Sequence, residues 1–391
     1  MDILDLILIS AITATFLLYV AYLLILKVLI SLRHASTHTL ENVDWLPRLS
    51  VIVPTYNEAT VIRAKLESLD NVSYPKEKCE IIVVDSGSTD STCQIIEEYK
   101  SRELILLKQE KRMGKANAIN FALQKASGDI IVLTDANAEF DPDALNTLVR
   151  KFDQNTGAVL PRLVPCGKLS YWDEAFHDIH NIYKSLESRT DSVFIVFGEL
   201  FAFRRGLVDQ IDENAAADDL QIAMAIRKKN YRIRYSPDVT VKERVPSSQK
   251  GVRTQKVRRI FGIVQAMKKN FDFFLNPSYG AYGLLIFPTH FLQMTLGPFL
   301  IFSCLFLLIQ KLGVMILGNP QPLIGAAVLA LSLLLLSILY FLLGLIRKIV
   351  SIVYNLLATQ VYMIIALVNF ARGKKYGVWE KIASTREVGN A

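Results

Sequence analysis

The 391-residue sequence predicts an α/β domain with a mostly parallel sheet, held between transmembrane segments. Three observations support this class. Short β-branched runs alternate with segments of helical periodicity, which is typical of strands joined by crossover helices. Each of these runs ends in a polar loop, so the loops are expected to meet at one edge of the sheet. Long, nearly uncharged stretches lie towards both ends of the chain, and a bilayer core needs about 20 apolar residues.

The composition favours a membrane protein. Hydrophobic residues make up 51% of the chain and charged residues 21%. The apolar excess is concentrated before about residue 31 and after about residue 280. Anionic lipid head groups and a nucleotide diphosphate would both attract the formal charge of +7, so the charge does not require nucleic acid as a partner. The four cysteines form no C-x-x-C pair, which favours a reducing compartment.

Residues 1–32 are predicted to form a membrane anchor. After Asp2, this segment carries charge only at Asp5 and Lys27. Acidic residues come first and the basic residue comes last, which is the opposite of a cleaved signal peptide. By the positive-inside rule, the basic end lies in the cytoplasm. We therefore expect an integral membrane protein whose domain at residues 48–248 is cytoplasmic.

The elements of this domain follow from hydrophobic patterning. Apolar runs predict strands at residues 49–53, 80–84, 104–107 and 130–133, and a later strand from Phe194 to Phe203 broken at Gly198. Helical spacing predicts helices near residues 61–69, from Gly114-Lys115 to Leu123, and from Asp218 to Lys229. The sequence contains no G-x-G-x-x-G and no Walker-type loop, which disfavours dinucleotide oxidoreductases and P-loop NTPases.

The remaining chain is predicted to associate with the membrane. Residues 249–278 alternate apolar and basic side chains, as interfacial helices do. Residues 279–372 contain three apolar stretches long enough to span, at about Tyr282–Ile309, Leu323–Ile346 and Ile349–Phe370. Three such spans would put the basic tail, residues 373–391, outside the cell, whereas the positive-inside rule would keep it inside. This conflict is left open at the level of sequence.

The polar residues of the domain suggest chemistry on a diphosphate. Asp135 and Asn137 follow a predicted strand, and Asp218-Asp219 begin a predicted helix. A basic segment containing Gln255, Arg258 and Arg259 comes next. Carboxylates that bind a metal or take a proton, together with fixed positive charge, suit transfer of a group from a diphosphate donor.

Taken together, these blocks resemble the membrane-bound glycosyltransferases of family 2, whose catalytic domain has the GT-A fold. The matching blocks are Val53-Pro54-Thr55-Tyr56-Asn57-Glu58, Val84-Asp85-Ser86-Gly87-Ser88-Thr89-Asp90, Gly114-Lys115, Thr134-Asp135-Ala136-Asn137, Gly198-Glu199-Leu200, Asp218-Asp219 and Gln255-x-x-Arg258-Arg259. They run in the family's order from about residue 50 to 260, nearly the whole middle domain.

The resemblance implies a nucleotide-sugar donor, which we expect to be a UDP-sugar. By this likeness the donor site contains Pro54, Tyr56, Glu58 and Asp85, with Asp85 accepting a hydrogen bond from the base, and Lys115 and Gly198 also contact the substrate. Asp135 and Asn137 stand where the family places Asp-x-Asp, which implies that they bind Mg²⁺ or Mn²⁺. The second ligand is here a neutral carbonyl.

The resemblance also assigns the catalytic groups. Asp219 matches the general base, next to Asp218 in the substrate site, and inversion at the anomeric carbon is implied. Gln255 and Arg258 match Gln-x-x-Arg-Trp, whose arginine stabilises the leaving diphosphate. Arg259 replaces the Trp of the acceptor site, which favours a lipid or lipid-phosphate acceptor.

Two other functions remain open. A processive synthase of the chitin, hyaluronan or poly-N-acetylglucosamine type would extend a glycan through the spans. A non-catalytic membrane protein that binds a nucleotide is suggested by Asn137 and Arg259. Each motif also has a structural interpretation: the aspartates of Asp218-Asp219 are a favourable start for a helix, and Arg259 would suit a basic face against phospholipid.

Overall fold

The computed structural model describes residues 3–32, 45–99, 104–166, 171–244, 248–317 and 344–374. One eight-stranded sheet organises the domain, in the order β3-β2-β1-β4-β7-β6-β8-β5. The strands are β1 (Leu49–Thr55), β2 (Cys79–Asp85), β3 (Leu104–Lys108), β4 (Ile130–Thr134), β5 (Glu139–Phe140), β6 (Thr156–Cys166), β7 (Leu200–Arg204) and β8 (Arg232–Arg244). The four strands β3, β2, β1 and β4 are parallel, which confirms the predicted start of the sheet.

Some helices pack on the two faces of the sheet and others extend from the domain. Their bounds are α1 (Ile3–Phe16), α2 (Tyr22–Leu32), α3 (Ile62–Asp70), α4 (Thr92–Glu98), α5 (Lys115–Leu123), α6 (Ala144–Val149), α7 (Tyr171–Thr190), α8 (Asp218–Lys228), α9 (Gln249–Lys269), α10 (Phe287–Thr295), α11 (Gly297–Leu317) and α12 (Gly344–Ala371). The side chains of β1 alternate between two cores, with Val51 and Val53 in one and Ile52 in the other. This two-sided burial explains why the parallel strands are continuous apolar runs.

The prediction of a strand from Phe194 to Phe203 is wrong in its first half. Only Leu200–Arg204 is a strand, antiparallel to β4. Residues 193–199 form an irregular loop that is mostly buried. The apolar run arose because the loop is inside the protein, and burial by itself does not distinguish a strand from a buried loop.

Long apolar helices extend from the domain. Two of them, Asp5–Leu32 and Ile349–Ala371, are long and apolar enough to cross a membrane. A bent pair, Tyr282–Thr295 with Gly297–Lys311, meets at 52° and would count as a third if it is one span. The break in this pair lies directly before Gly297. The span predicted at Leu323–Ile346 falls mostly outside the described residues.

The N-terminal helices run antiparallel to α11. Near the domain, a Cβ on Gly297 would lie 2.2 Å from the hydroxyl of Tyr19, so glycine permits this close crossing. At the far end, Lys311 pairs with Asp5. Asp5 and Tyr19 are fourteen residues apart in the sequence, and so are Gly297 and Lys311. The acidic residue of the N-terminal apolar segment, Asp5, is thus paired with the basic residue of α11, Lys311.

The end of α12 returns to the catalytic domain. The rings of Phe370 and Phe261 are 5.6 Å apart, and the ammonium of Lys268 lies 5.3 Å from the Phe370 ring. Phe261 and Lys268 both belong to α9, whose apolar side packs in the same core as α8 and α12. The described chain therefore ends, after α12, next to α9 of the catalytic domain.

Candidate active site

A first cleft opens at the carboxyl ends of β1 and β4. It is lined by Pro54, Tyr56, Glu58, Lys115 and Asp135, all of them predicted to bind the donor or the metal, together with Thr55, Ser86, Arg112, Gly114, Ala118 and Ala136. These residues converge because parallel strands deliver their polar loops to the same edge. The guanidinium of Arg112 lies 4.1 Å from the centre of the Tyr56 ring, so the cleft already contains a stacked aromatic and cation pair.

Asp85 lies behind this cleft. The residue is 2% exposed, and its carboxylate accepts a hydrogen bond of 2.9 Å from the backbone N–H of Ser88 and another from the Ser88 hydroxyl. Gly87, between them, has φ of +72°, a backbone conformation that glycine adopts without strain. In this structure Asp85 shapes the turn that borders the cleft, and its expected contact with a base stays a prediction.

Lys115 connects the two halves of the site. Its ammonium is 2.8 Å from the carboxylate of Asp135 and 3.5 Å from that of Asp218. Burial by itself would lower the pKa of this ammonium, but Asp135, Asp218 and Asp219 together raise it above its usual value. The lysine therefore stays charged and keeps three carboxylates close together.

A second cleft, next to the first, contains the predicted catalytic groups. Gly198, Asp218, Asp219, Arg258 and Arg259 line it, again with Lys115 and Asp135. A Cβ on Gly198 would lie 3.0 Å from the Lys115 ammonium and 3.6 Å from the Asp219 carboxylate. The predicted residue Gln255 is half-buried on α9, one turn before Arg258.

The surroundings of Asp219 suit a general base. Burial first and Asp218 second raise the pKa of its carboxyl, and Lys115, the Leu220 N–H and Arg259 oppose them, so that the pKa lies at about 6. A carboxylate with this pKa is ionised at neutral pH and binds a proton more readily than an exposed aspartate. One oxygen accepts a hydrogen bond of 2.8 Å from the N–H of Leu220, which orients the group at the start of α8.

Arg258 supplies buried positive charge in the same cleft. Burial first and Arg259 second lower the pKa of its guanidinium, and Asp218, Asp135 and Asp219 oppose them, so that the pKa lies at about 10. The guanidinium still carries its charge at neutral pH. Arg258 is on α9 and lines the same cleft as Asp135, Asp218 and Asp219.

Arg259 has a different environment. Its guanidinium lies 2.6 Å from the carboxylate of Glu199 and 4.8 Å from the centre of the Phe197 ring. The side chain of Glu199 is 7% exposed, so the pair is largely shielded from water on one side. The residue that replaces the Trp thus packs on an aromatic ring and is bound by a carboxylate.

The expected metal ligands lie on one turn. Asp135 and Asn137 follow β4, and both are partly exposed. No group of three or more His, Cys, Asp or Glu side chains suited to a metal ion occurs in the described part of the chain. Mg²⁺ and similar cations are often held by one or two protein oxygens together with substrate phosphates and water. Asp135 and Asn137 fit that role beside the first cleft.

Two residues that we did not predict support the site. Lys65, on α3, is 3% exposed, and its ammonium bonds to the Thr134 hydroxyl at 2.8 Å and to the Ala138 carbonyl at 2.9 Å. It thereby lies beneath the turn that carries Asp135. Its position among Ile62, Leu66 and Leu69 on the buried face of the helix was the available signal.

The second unpredicted residue is Gly262 on α9. A Cβ there would lie 2.7 Å from the Cβ of Ala217 and 2.8 Å from its backbone nitrogen. One turn earlier on the helix are Arg258 and Arg259, and directly after Ala217 comes Asp218. The glycine therefore lets the arginines approach the aspartates closely.

This fold and this site define a class: an α/β enzyme that transfers a sugar from a nucleotide diphosphate. The family model described as Glycosyl transferase family 2 matches residues 50–212. The chain therefore carries a family 2 glycosyltransferase domain with the GT-A fold. The open alternative of a non-catalytic binding protein is not supported.

Several relatives are similar to this chain. A Bacillus subtilis protein described as a probable glycosyltransferase, YdaM, is 28% identical over 233 residues, which is 56% of either chain. Poly-beta-1,6-N-acetyl-D-glucosamine synthase of Staphylococcus aureus is 27% identical over 242 residues, 59% of this chain and 58% of the synthase. The matched region thus spans little more than half of these curated relatives.

A solved structure is similar over nearly the whole length. It is the mannosyltransferase PcManGT from Pyrobaculum calidifontis in complex with GDP-Man and Mn²⁺. The two chains are 29% identical, with a TM-score of 0.72, and the match covers 95% of this chain and 100% of the other. The similarity therefore includes the helices outside the family 2 domain.

Proposed function

We propose that the protein transfers one sugar, with inversion, from a nucleotide-sugar to the hydroxyl group of a lipid at the membrane. One observation carries this proposal: Lys115 lines both the first cleft and the second cleft, and the second also contains Asp219 and Arg258. The donor would lie in the first cleft with its anomeric carbon towards the second. The acceptor would approach from the side of the apolar helices.

In the proposed reaction, Asp219 takes the proton of the acceptor hydroxyl. The acceptor oxygen forms a bond to the anomeric carbon while the bond from that carbon to the diphosphate oxygen breaks. Lys115 and Arg258 offset the negative charge that develops on the leaving nucleotide diphosphate. A divalent cation bound by Asp135 and Asn137 would supply further positive charge to the phosphates.

The proposal also concerns which nucleotide-sugar is the donor. We expected a UDP-sugar from the sequence resemblance. The full-length similarity to a mannosyltransferase in complex with GDP-Man and Mn²⁺ supports GDP-mannose and Mn²⁺ as the first combination to test. UDP-sugars remain the second set.

The acceptor is proposed to be a lipid hydroxyl because of the environment of Arg259. This arginine already pairs with Glu199 and packs on Phe197, which favours a neutral acceptor over the lipid phosphate that its charge first suggested. The same cleft is lined by the apolar side chains of Ile195 and Ile263. These features suit the head of a membrane lipid, on a chain with two helices long enough to span.

Extension of a polysaccharide is the second candidate function. The similarity to the poly-N-acetylglucosamine synthase over 242 residues supports it. In that case the product would be a long polymer and the donor UDP-N-acetylglucosamine. Sizing of a labelled product distinguishes a polymer from a singly glycosylated lipid.

The test is nucleotide release by the purified protein in lipid nanodiscs, with Mn²⁺ or Mg²⁺ and a panel of GDP-, UDP- and dTDP-sugars. Membrane lipid extract serves as the acceptor. We expect release with one donor, and loss of release with retained nucleotide binding in Asp219→Asn. Asp209→Asn, at a side chain that is 91% exposed, is the matched control and should be fully active. Equal turnover of wild type and Asp219→Asn would contradict the assigned base.

A further inference from the structure

A buried polar cluster joins the membrane helices to the catalytic domain. Glu187, on α7, is 1% exposed and His290, on α10, is 2% exposed. One carboxylate oxygen of Glu187 accepts a hydrogen bond of 2.8 Å from the hydroxyl of Tyr22 and lies 2.6 Å from His290 Nε2. Because Nε2 faces a carboxylate, this nitrogen must be the donor. Three helices, α2, α7 and α10, therefore meet at one carboxylate.

The second oxygen of Glu187 binds the backbone of the domain. It accepts a hydrogen bond of 2.9 Å from the N–H of Phe194. The Phe194 ring also stacks on the His290 ring, with 4.3 Å between centres and 11° between planes. Phe194 is completely buried. Its main chain and its ring are thus both in contact with the pair formed by Glu187 and His290.

Phe194 lies in the irregular loop 193–199, which forms one wall of the second cleft. A buried loop outside regular structure needs partners for its backbone groups, because unpaired groups destabilise the fold. At its other end, the Glu199 carbonyl accepts a hydrogen bond of 2.8 Å from the Thr134 hydroxyl. The loop is therefore attached to β4 at its end. At its start it is attached to α7 and α10 through Phe194, and to β8 through a hydrogen bond of 3.1 Å from the Val193 N–H to the Ile233 carbonyl.

We propose that Glu187 and His290 are positioning residues that set loop 193–199, and with it the acceptor side of the site, relative to the apolar helices. The donor side depends on other segments, since residues 54–58 and 112–118 supply most of the first cleft. Loosening the cluster should therefore weaken transfer to the acceptor and leave nucleotide binding intact. The activity part of this inference rests on the proposed function.

The experiment uses the full chain in nanodiscs and three variants. His290→Phe keeps a ring against Phe194 and removes the donor to Glu187. His290→Gln keeps a donor near the position of Nε2 and serves as the conservative rescue. In the native protein the two carboxylate oxygens of Glu187 accept hydrogen bonds from three donors. Glu187→Gln keeps the shape of the side chain but has only one oxygen that can accept them.

Hydrogen–deuterium exchange of residues 193–199 tests the attachment without any need for activity. We expect exchange to become at least tenfold faster in His290→Phe and Glu187→Gln. The reason is that loss of a buried hydrogen bond to a charged group raises the equilibrium constant for local opening by about a factor of ten or more. His290→Gln should exchange nearly as slowly as wild type. Unchanged exchange in His290→Phe and Glu187→Gln would overturn the proposal.

Kinetics test the consequence for the acceptor. We expect an acceptor KM about tenfold higher, or a transfer rate about tenfold lower, in His290→Phe, with an unchanged nucleotide Kd. Tyr74→Phe is the control for general destabilisation, because it removes a buried 2.6 Å hydrogen bond to the Pro47 carbonyl at the opposite end of β1. Parallel losses of nucleotide binding and transfer, or the same pattern in Tyr74→Phe, would overturn the positioning role. If wild type transfers no sugar, the proposed function fails. The exchange experiment still shows whether Glu187 and His290 hold loop 193–199 in place.

Discussion

The guanidinium of Arg259 lies 2.6 Å from the carboxylate of Glu199, which ties α9 to the loop before β7. The carbonyl of the same Glu199 accepts a hydrogen bond of 3.4 Å from the N–H of Asp135. Glu199 thus connects the arginine pair of α9 to the turn that carries the expected metal ligands. The arginine that replaces Trp in the motif contributes to this connection through its charge.

This connection predicts strong coupling between the two residues. We expect Glu199→Gln and Arg259→Gln each to reduce transfer about tenfold, because each leaves a shielded charge without its partner. The double variant should be little worse than either single one, giving a coupling free energy of about 0.5–3 kcal/mol. A double-mutant cycle on kcat/KM measures it.

The matched control is the exposed pair Arg63 and Glu98, which are 4.0 Å apart with side chains 54% and 57% exposed. The same cycle there should give almost no coupling, since exposed pairs contribute little. Additive effects of Glu199→Gln and Arg259→Gln would contradict the connecting role.

Transfer should decline in acid with a pKa of about 6. Burial and Asp218 raise the pKa of the Asp219 carboxyl to about 6. Only the ionised carboxylate accepts a proton, so kcat/KM should be constant above this value and fall about tenfold per pH unit well below it. A pH profile of kcat/KM at saturating metal measures this decline. A rate that stays constant down to pH 4 would rule out Asp219 as the base.

Gly262→Ala should impair both stability and transfer. The new methyl would lie 2.7 Å from the Ala217 Cβ, so α9 or the start of α8 must move. We expect a loss of about 1–3 kcal/mol in the free energy of unfolding, as for other overpacked sites. Transfer should fall about tenfold, because Arg258 moves away from Asp218 and Asp219. Thermal unfolding and nucleotide release measure the two effects.

Gly206→Ala is the control for this substitution. A Cβ on Gly206 meets nothing within 4 Å, so its replacement should change neither stability nor transfer noticeably. If Gly262→Ala behaved in the same way, the close approach of α9 to α8 would not matter for the site.

Lys65 should make stability depend on pH in the alkaline range. Burial lowers the pKa of its ammonium from 10.5 to about 7, although Asp135 and Glu139 partly oppose this. Between about pH 7 and 10 the unfolded chain holds a proton that the native protein has released. The free energy of unfolding therefore increases as the pH rises through this range. The stability of wild type relative to Lys65→Met should therefore increase over this window and be constant below it. Urea unfolding at several pH values measures it, with the exposed Lys76→Met as control.

Metal dependence should follow the charge of the ligands. Removal of divalent cations with EDTA should abolish transfer, and Mn²⁺ should restore it. Asn137→Asp adds a second carboxylate, so we expect the metal concentration for half-maximal rate to fall about tenfold. Metal titrations of transfer measure this shift. A higher requirement in Asn137→Asp would contradict its place as a ligand.

Much of the fold could be predicted because parallel strands are local apolar runs. Strands β1, β2, β3 and β4 and helices α3, α5 and α8 lie within a few residues of the predicted bounds. By contrast, β6, β8 and α7 were not predicted. β6 contains Pro161 and Pro165 and β8 contains Pro237, and prolines inside an apolar run argue against a central strand.

The predicted site residues were assembled by the same topology. Lys115, Asp135, Asp218 and Asp219 are separated by up to 104 positions (219 − 115), yet they line adjoining clefts. Their chemical types and order along the chain were enough to expect this. Their roles in catalysis stay predictions until the variants are measured.

The sequence by itself determined the class of the protein, because strand periodicity, polar loop residues and long apolar segments are local properties of the chain. Only the tertiary structure decided how the charges are used. It pairs Arg259 with Glu199, places Lys65 beneath Asp135, and brings His290 of an apolar helix to Glu187 of the domain. Such partners are distant in sequence, and which charges meet depends on the packing of helices and loops that no local pattern specifies.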